Sequence, residues 1–551
     1  MREVFRDRNC SFRFKPVKQE DVMKIISGLK NSKSSGVDYI DTATLKLVAR
    51  EILPAITHII NLSISQGTFP TIWKHSKVIP LLKKGDPLSA KNYRPVALLP
   101  ILSKILEKAV FIQIVEYLEQ NKLLHHNHHG SRSGYNTATA LIQMYDQWTQ
   151  EVDDGRMVGV MMIDLSAAFD MVDHPLLLEK LSILGLEEEV VQWFHSYLSG
   201  RSQSVFIDGC LSPPEDIHFG VPQGSILGPL MYISFTNEIP DLVHSHPVSH
   251  KNPEPACLMT CGSTVCYVDD GTFSVGHKDS SILSQKLSEQ YSIIADYMAA
   301  NKLVINPDET HLVVMGTKAT AAHRADVKLE AGPHTISPTP TERLLGCQIS
   351  QDLKWKQHIL EGDQSLVKQL TSRINGLCMM SVRASMSTRL MVANGIVMSK
   401  LCYLIQLWGG CDGYLLKHLQ VLQNRAARSV TGCGWFTPKR KLLKMCKWLS
   451  INQLVFYQAV VMAHKIVLTS SPYHLAGKMS TTHPRETRQS TSGCIRFGEN
   501  FSANQAPVQK SFCHRATGQY NTIPASLRSE KSMPSFKLKL KKWVESNIQV
   551  D

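Results

Sequence analysis

Apolar positions recur at steps of three and four in some stretches of the chain and run together or alternate in others, and the two patterns interleave. "DVMKIISGLKNSKSSGVDYI" starts with a helical period and ends in a Ser-Ser-Gly-Val-Asp loop. "ATLKLVAREILPAITHIINLSISQGTFP" keeps that period until Gly67 and Pro70 stop it. "HSKVIPLLKKGDP" predicts a short strand entering a basic turn at Lys83, Lys84, Gly85 and Asp86, after which "NYRPVALLPILSKILEKAVFIQIVEYLEQN" predicts a return to helix. "GRMVGVMMIDLSAAFDMVDH" is a strand that breaks at Asp164 into a turn of small residues. Two helices follow, "PLLLEKLSILG" with Gly185 as its C-cap and "LEEEVVQWFHSYLSG" with acids in its first turn, and then the strand "QSVFIDG". Between Ser263 and Val275, "STVCYVDDGTFSV" sets two β-rich runs around adjacent aspartates, a hairpin pattern. From Arg373 to about Thr469 the period is helical with Lys and Arg on the polar faces. The stretch from Ser470 to Pro524 is richer in Ser, Thr, Gly and Pro and predicts linker or irregular structure, and "SFKLKLKKWVESN" closes the chain as an amphipathic segment. Strands and helices mixed in this way predict an α+β fold.

Composition adds the partner class. With 551 residues, 43% hydrophobic and 19% charged, the chain is too apolar to be disordered and long enough for about two to four packed domains. Its 60 Lys+Arg against 47 Asp+Glu give a net charge of +13, which favours a polyanion: nucleic acid or an anionic membrane surface. No signal-type segment opens the sequence and no uncharged apolar run of roughly 18 residues is expected, so the chain reads as soluble, intracellular and without a targeting segment. Thirteen scattered cysteines fit reduced thiols better than a disulfide framework. Cys257, Cys261 and Cys266, with His246 and His250 upstream, are too raggedly spaced for a zinc site, and "HHNHHG" from His125 to His129 reads as a polar loop.

Asp269-Asp270-Gly271 on its own is a hairpin turn, because Asp-Gly is a favoured type I′ pair. A third carboxylate, Asp164, also ends an apolar strand, and three converging carboxylates are costly to bury without a cation. Mg²⁺ takes hard oxygen ligands, and two ions about 4 Å apart can clamp the attacking and leaving oxygens of a phosphoryl transfer.

"VIPLLKKGDPLSAKNYRPVALLPILSKILEKAV", "MMIDLSAAFDMVDHPLLLEKL", "GVPQGSILGPLMYISFTNEIPDL", "CYVDDGTFSV", "NKLVINPDETHLVVMG" and "LLGCQISQDLKWKQHI" stand in the order of the successive motifs of reverse transcriptases, and resemble those of non-LTR (LINE-type) retrotransposons. "LQVLQNRAARSVTG" and "SMPSFKLKLKKWV" resemble the tail of such reading frames, so the likeness runs from about Asp21 to the C-terminus. It implies a right-hand polymerase: an N-terminal helical extension over 1–60, fingers and a palm with an antiparallel sheet over 61–350, a helical thumb over 351–435 and a helical or irregular region over 436–551. It further implies RNA-directed DNA synthesis from a primer 3′-hydroxyl with deoxynucleotides, an RNA template, a DNA primer, no membrane and a nuclear setting.

By the same resemblance Asp164, Asp269 and Asp270 hold two Mg²⁺ ions, with Mn²⁺ as a substitute, and Phe169 is the steric gate against a 2′-hydroxyl. Ala167 and Ala168 offer backbone N–H groups to the triphosphate. Gln223 and Gly224 pack against the nascent base pair, and Arg94 contacts the nucleotide phosphates, with Lys83 and Lys84 beside it. Asp170 suits a structural hydrogen bond. Two residues depart from the family pattern: Glu309 stands where a lysine is usual, and Ser131 where an aromatic residue is usual. The resemblance also leads one to expect an upstream endonuclease, which this sequence does not contain, so a decayed copy that only binds nucleic acid is the alternative function.

Overall fold

The computed structural model describes residues 10–83, 85–242, 262–380, 384–480, 494–497 and 510–549. Helices α1 (Gln19–Gly28) and α2 (Ala49–Ser65) pack together and lead into strand β1 (His75–Leu82). β1 pairs antiparallel with β2 (Tyr93–Leu98), with Leu81 opposite Arg94, and parallel with β4 (Arg201–Ile207), with His75 opposite Ser202. Short strands β5 (Cys210–Leu211) and β6 (Glu215–Ile217) complete this sheet against β4. Residues 93–98, expected to be helical, are therefore strand. Pro95 and Pro100 explain the difference, since proline biases the residue before it away from the α region, and helix α3 (Ile101–Gln120) starts only after Pro100.

The second sheet runs β7-β8-β3-β9, all antiparallel: β7 (Ser263–Tyr267), β8 (Asp270–His277), β3 (Met157–Ile163) and β9 (His311–Met315). All seven residues of the central strand β3 are buried. Val158, Val160 and Met162 join one apolar cluster, and Met157, Met161 and Ile163 join the other, so strand alternation turns the sheet into a wall between two cores. On one side lie α1–α3, α5 (His174–Ile183), α6 (Glu188–Leu198), α7 (Gly228–Phe235) and α8 (Ser280–Ala300). A Cβ on Gly159 of β3 would stand 2.5 Å from Leu287 of α8, so the bare glycine lets that helix seat. On the other side lie α4 (Thr137–Asp153) and the C-terminal helices.

Among those helices are α9 (Leu366–Met380), α10 (Gly413–Thr431), α11 (Lys439–Cys446), α12 (Ile451–Thr469), α13 (Phe512–Thr522) and α14 (Met533–Asn547). α9 packs on α10, α10 on α11, and α12 on both α13 and α14. One expectation changes here. The stretch between 470 and 524 contains helix α13, whose Phe512, Cys513, Ala516 and Tyr520 are buried. α12 is, by length and composition alone, apolar enough to cross a membrane, but 61% of it is buried beneath its neighbours, as in a core helix.

The "HHNHHG" segment is not a solvent loop. The His129 N–H donates to the Cys266 carbonyl at 2.8 Å and the Cys266 N–H to the Asn127 carbonyl at 2.9 Å, so residues 127–129 run along β7 as an extra edge. His128 and His129 are buried, with ring nitrogens on the Thr236 carbonyl, Thr139 Oγ1 and Gln143 Oε1. Among the described residues no group of three or more His, Cys, Asp or Glu forms a metal cage. His246, His250, Cys257 and Cys261 lie outside the described residues; Cys266 is buried in β7, its thiol pushed up to about 12 by desolvation.

Candidate active site

β3 carries its chain to Ile163, and Asp164 follows at the sheet end. The turn beyond is pinned to residues 304–306: the Ser166 N–H donates to the Val304 carbonyl at 2.9 Å and the Asn306 N–H to the Asp164 carbonyl at 3.0 Å. β8 lies beside β3 with Gly271 opposite Ile163, which brings the β7–β8 hairpin tip alongside Asp164. Tyr267 pairs with Asp270, so the two turn residues are Val268 and Asp269. Asp270 and Gly271 belong to the strand, and the Asp-Gly turn offered by the sequence is not formed. Val268 takes φ +60, strained for a β-branched residue. The glycine ending the His-rich segment backs it: a Cβ on Gly130 would stand 2.3 Å from Val268 Cγ2.

Asp164 thus lies within electrostatic reach of Asp269, Asp270 and Glu309. Asp164 is pushed up to about 7, first by desolvation, then by a hydrogen bond with Glu309 and by the charges of Glu309, Asp269 and Asp270. Asp270, though its side chain reaches solvent, is pushed up to about 6 by desolvation and by Asp269, with Arg94 of β2 acting the other way. Asp164, Asp270, Glu309 and Arg343 line a cavity of about 270 Å³. These side chains offer only hard carboxylate oxygens, the donor type that Mg²⁺ and Mn²⁺ take, with Arg343 lining the same cavity and Arg94 within electrostatic reach of Asp270; as they stand, no three of the described carboxylates are grouped as a metal cage. The carboxyl-to-carboxyl hydrogen bond at Asp164 needs a proton that a divalent ion would displace.

The remaining candidates surround this cluster. Phe169 stacks on Tyr232 with ring centroids 5.0 Å apart. Tyr232 is buried, its hydroxyl held protonated by desolvation and then by neighbouring Asp269. Ala167 has φ +49, and its carbonyl accepts from the Asp170 N–H at 2.8 Å, closing the turn. Ala168 is buried. Gln223 donates from Nε2 to Asp170 Oδ2 at 3.0 Å, so Asp170 does serve a structural hydrogen bond. Gly224 has φ +117, and a Cβ there would meet the Ala97 carbonyl oxygen at 2.5 Å, so close packing on β2 demands glycine at this position. Asp170 and Gln223 line a separate cavity of about 420 Å³ with Arg201 and Gln203. Lys83 is exposed and Lys84 lies outside the described residues; Ser131 is exposed with φ +53.

Sequence reasoning missed Tyr232, Gly130 and Glu107. Fully buried Glu107 accepts from Ser103 Oγ at 2.8 Å and from the Ile226 N–H at 2.7 Å, fixing the segment between Gln223 and α7. Its position within the apolar period of "ILSKILEKAV" is the signal that could have exposed it.

Residues 81–349 match the family described as reverse transcriptase (RNA-dependent DNA polymerase). The chain is 28% identical over 428 residues to the RNA-directed DNA polymerase from mobile element jockey of Drosophila funebris, covering 78% of this chain and 45% of that protein. It is 28% identical over 431 residues to the probable RNA-directed DNA polymerase from transposon BS of Drosophila melanogaster, covering 77% of this chain and 46% of that protein. The probable polymerase from transposon X-element of the same fly is 26% identical over 447 residues, 79% of this chain and 46% of that protein. The chain thus spans under half the length of these curated relatives. The ordered motifs, the matched region and the relatives agree: residues 81–349 match the reverse transcriptase family, and the chain is similar to RNA-directed DNA polymerases of mobile elements.

Proposed function

We propose that this chain is an RNA-directed DNA polymerase that extends a primer 3′-hydroxyl with deoxynucleotides on an RNA template. One observation carries the proposal: the β7–β8 hairpin delivers Asp269 and Asp270 to the end of β3, where Asp164 stands. Asp164, Asp269 and Asp270 would hold two Mg²⁺ ions, or Mn²⁺, which when bound acidify the primer hydroxyl and neutralise charge on the α-phosphate. Arg94, whose charge reaches Asp270, would meet nucleotide phosphates from the opposite sheet. Phe169, propped by Tyr232, would wall off the 2′ side of the sugar. The turn holding Ala167 and Ala168 offers backbone to the triphosphate, and Gln223 and Gly224 approach the nascent pair. In this scheme the β1-β2-β4 sheet belongs to the fingers, the β7-β8-β3-β9 sheet is the palm, and the helices from 351 to 435 are a thumb gripping template and primer through phosphates. No membrane takes part, and the setting is nuclear.

Glu309 supports one competing reading. Its hydrogen bond to Asp164 adds a fourth acid where relatives of the resembled kind place lysine, as a decayed copy would. Supplying the purified chain with poly(rA)/oligo(dT), dTTP and Mg²⁺ separates the two. Cation-dependent incorporation is the expected result; template binding without incorporation would establish the decayed copy.

A further inference from the structure

The last carboxylate before a long basic tract is Asp363, and from there to Glu486 the only one is Asp412, which is paired with Lys510 at 2.6 Å. Within this tract the loop between α10 and α11 carries two adjacent aromatic side chains in solvent: Trp435 is 73% exposed and Phe436 97%. The loop is a held structure. Arg428 of α10 donates from Nη2 to the Trp435 carbonyl at 3.1 Å, and its guanidinium lies 4.8 Å from the Trp435 ring centroid. The Thr437 N–H closes back on the Gly434 carbonyl at 3.1 Å. Exposed Arg425, Arg440, Lys441 and Lys444 stand on the two flanking helices.

We infer that the Trp435–Phe436 loop is a stacking site for an unpaired nucleotide of the template or primer strand, an inference that rests on the polymerase reading above. Burying the aromatic pair would relieve its exposure to water, but an apolar protein surface would leave the surrounding cations without partners, and a second copy of a +13 chain would repel it. A nucleotide satisfies both features: its base has a π-face for Trp435 or Phe436, and its phosphates meet the lysines and arginines. The base must be unpaired or terminal, because inside a duplex both faces are already stacked. No base edge is read, so the site is indifferent to sequence.

The test uses the full chain with Trp435→Ala, Phe436→Ala and the double variant, and compares a template-primer bearing an unpaired overhang with a blunt duplex of equal length. Both side chains are solvent-exposed, so melting temperatures should match the parent. The double variant is expected to bind the overhang substrate about 10-fold more weakly, with blunt binding within about 2-fold, and Phe436→Tyr should retain parental affinity. Equal loss on both substrates, or no loss on either, would overturn the site. Loss of binding to anionic phospholipid vesicles with nucleic-acid binding intact would also overturn it, and assign the loop to a membrane. Primer extension by the parent is scored separately: a parent that discriminates overhang from blunt but never extends supports the loop and defeats the polymerase reading.

Discussion

Val268 holds a β-branched side chain at φ +60 in the turn that aims Asp269, and Gly130 fills the space behind it with nothing larger than a hydrogen. Backbone strain of this kind persists only where surrounding structure over-determines it. Gly130→Ala should therefore lower primer extension far more than it lowers stability, where overpacking costs about 1–3 kcal/mol. Steady-state extension beside thermal melting checks this, and parental extension in that variant would show that the turn does not depend on its backing. Phe169 permits a second residue-level expectation. Phe169→Val should admit ribonucleotides while deoxynucleotide use stays within about 10-fold. Equal loss of both would mark the ring as packing for Tyr232. The aspartates were legible because their types and order speak for themselves; Tyr232 and Gly130 were not, because their roles depend on what lies across a fold rather than along a sequence.

At the level of elements, the hairpin is held from both sides, by β3 and by the strand-like segment 127–129. That segment needs neutral histidines. Desolvation drives His128 and His129 from an ordinary 6.5 to about 3, so the folded chain refuses protons that the unfolded chain accepts. Stability from this segment is complete above about pH 6.5 and is lost as pH falls from there toward 3, by about 2 kcal/mol per histidine at pH 5. Amide exchange at His129 and Cys266, corrected for intrinsic pH dependence, should gain in opening between pH 7 and pH 5; unchanged protection would contradict the burial. Periodicity could not reveal this element, since four histidines around an asparagine look polar until their ring partners Thr139, Gln143 and Thr236 are assembled. Strand β2 was hidden by its continuity with the apolar run of α3, and the two prolines were the overlooked sign. The β3 and β7–β8 strands, by contrast, were plain from their β-rich runs.

Across the whole molecule, the central sheet separates two cores, and the C-terminal helices complete the second. A lysine-rich amphipathic segment such as the one that closes the chain suits either a nucleic-acid tail or a docked helix. Phe536, Leu540 and Val544 of α14 are buried, Phe536 stacks on His464 with centroids 3.6 Å apart, and Trp543 stacks on Phe456 at 5.8 Å. Two of its lysines have protein partners, Lys539 on Glu530 and Lys541 on the Lys447 carbonyl. Deleting 530–551 should thus lower the melting temperature and leave the salt slope of template binding unchanged; a slope shallower by one to three units would restore the tail to nucleic acid.

The central claim is that the carboxylates gathered at the end of β3 perform the chemistry. Asp269→Ala tests it most directly, with single-nucleotide extension on poly(rA)/oligo(dT) and template-primer binding measured on the same preparation. Extension should fall at least about 1,000-fold while binding stays within about 3-fold of the parent. Extension at the parental rate in that variant would contradict the assignment of this site.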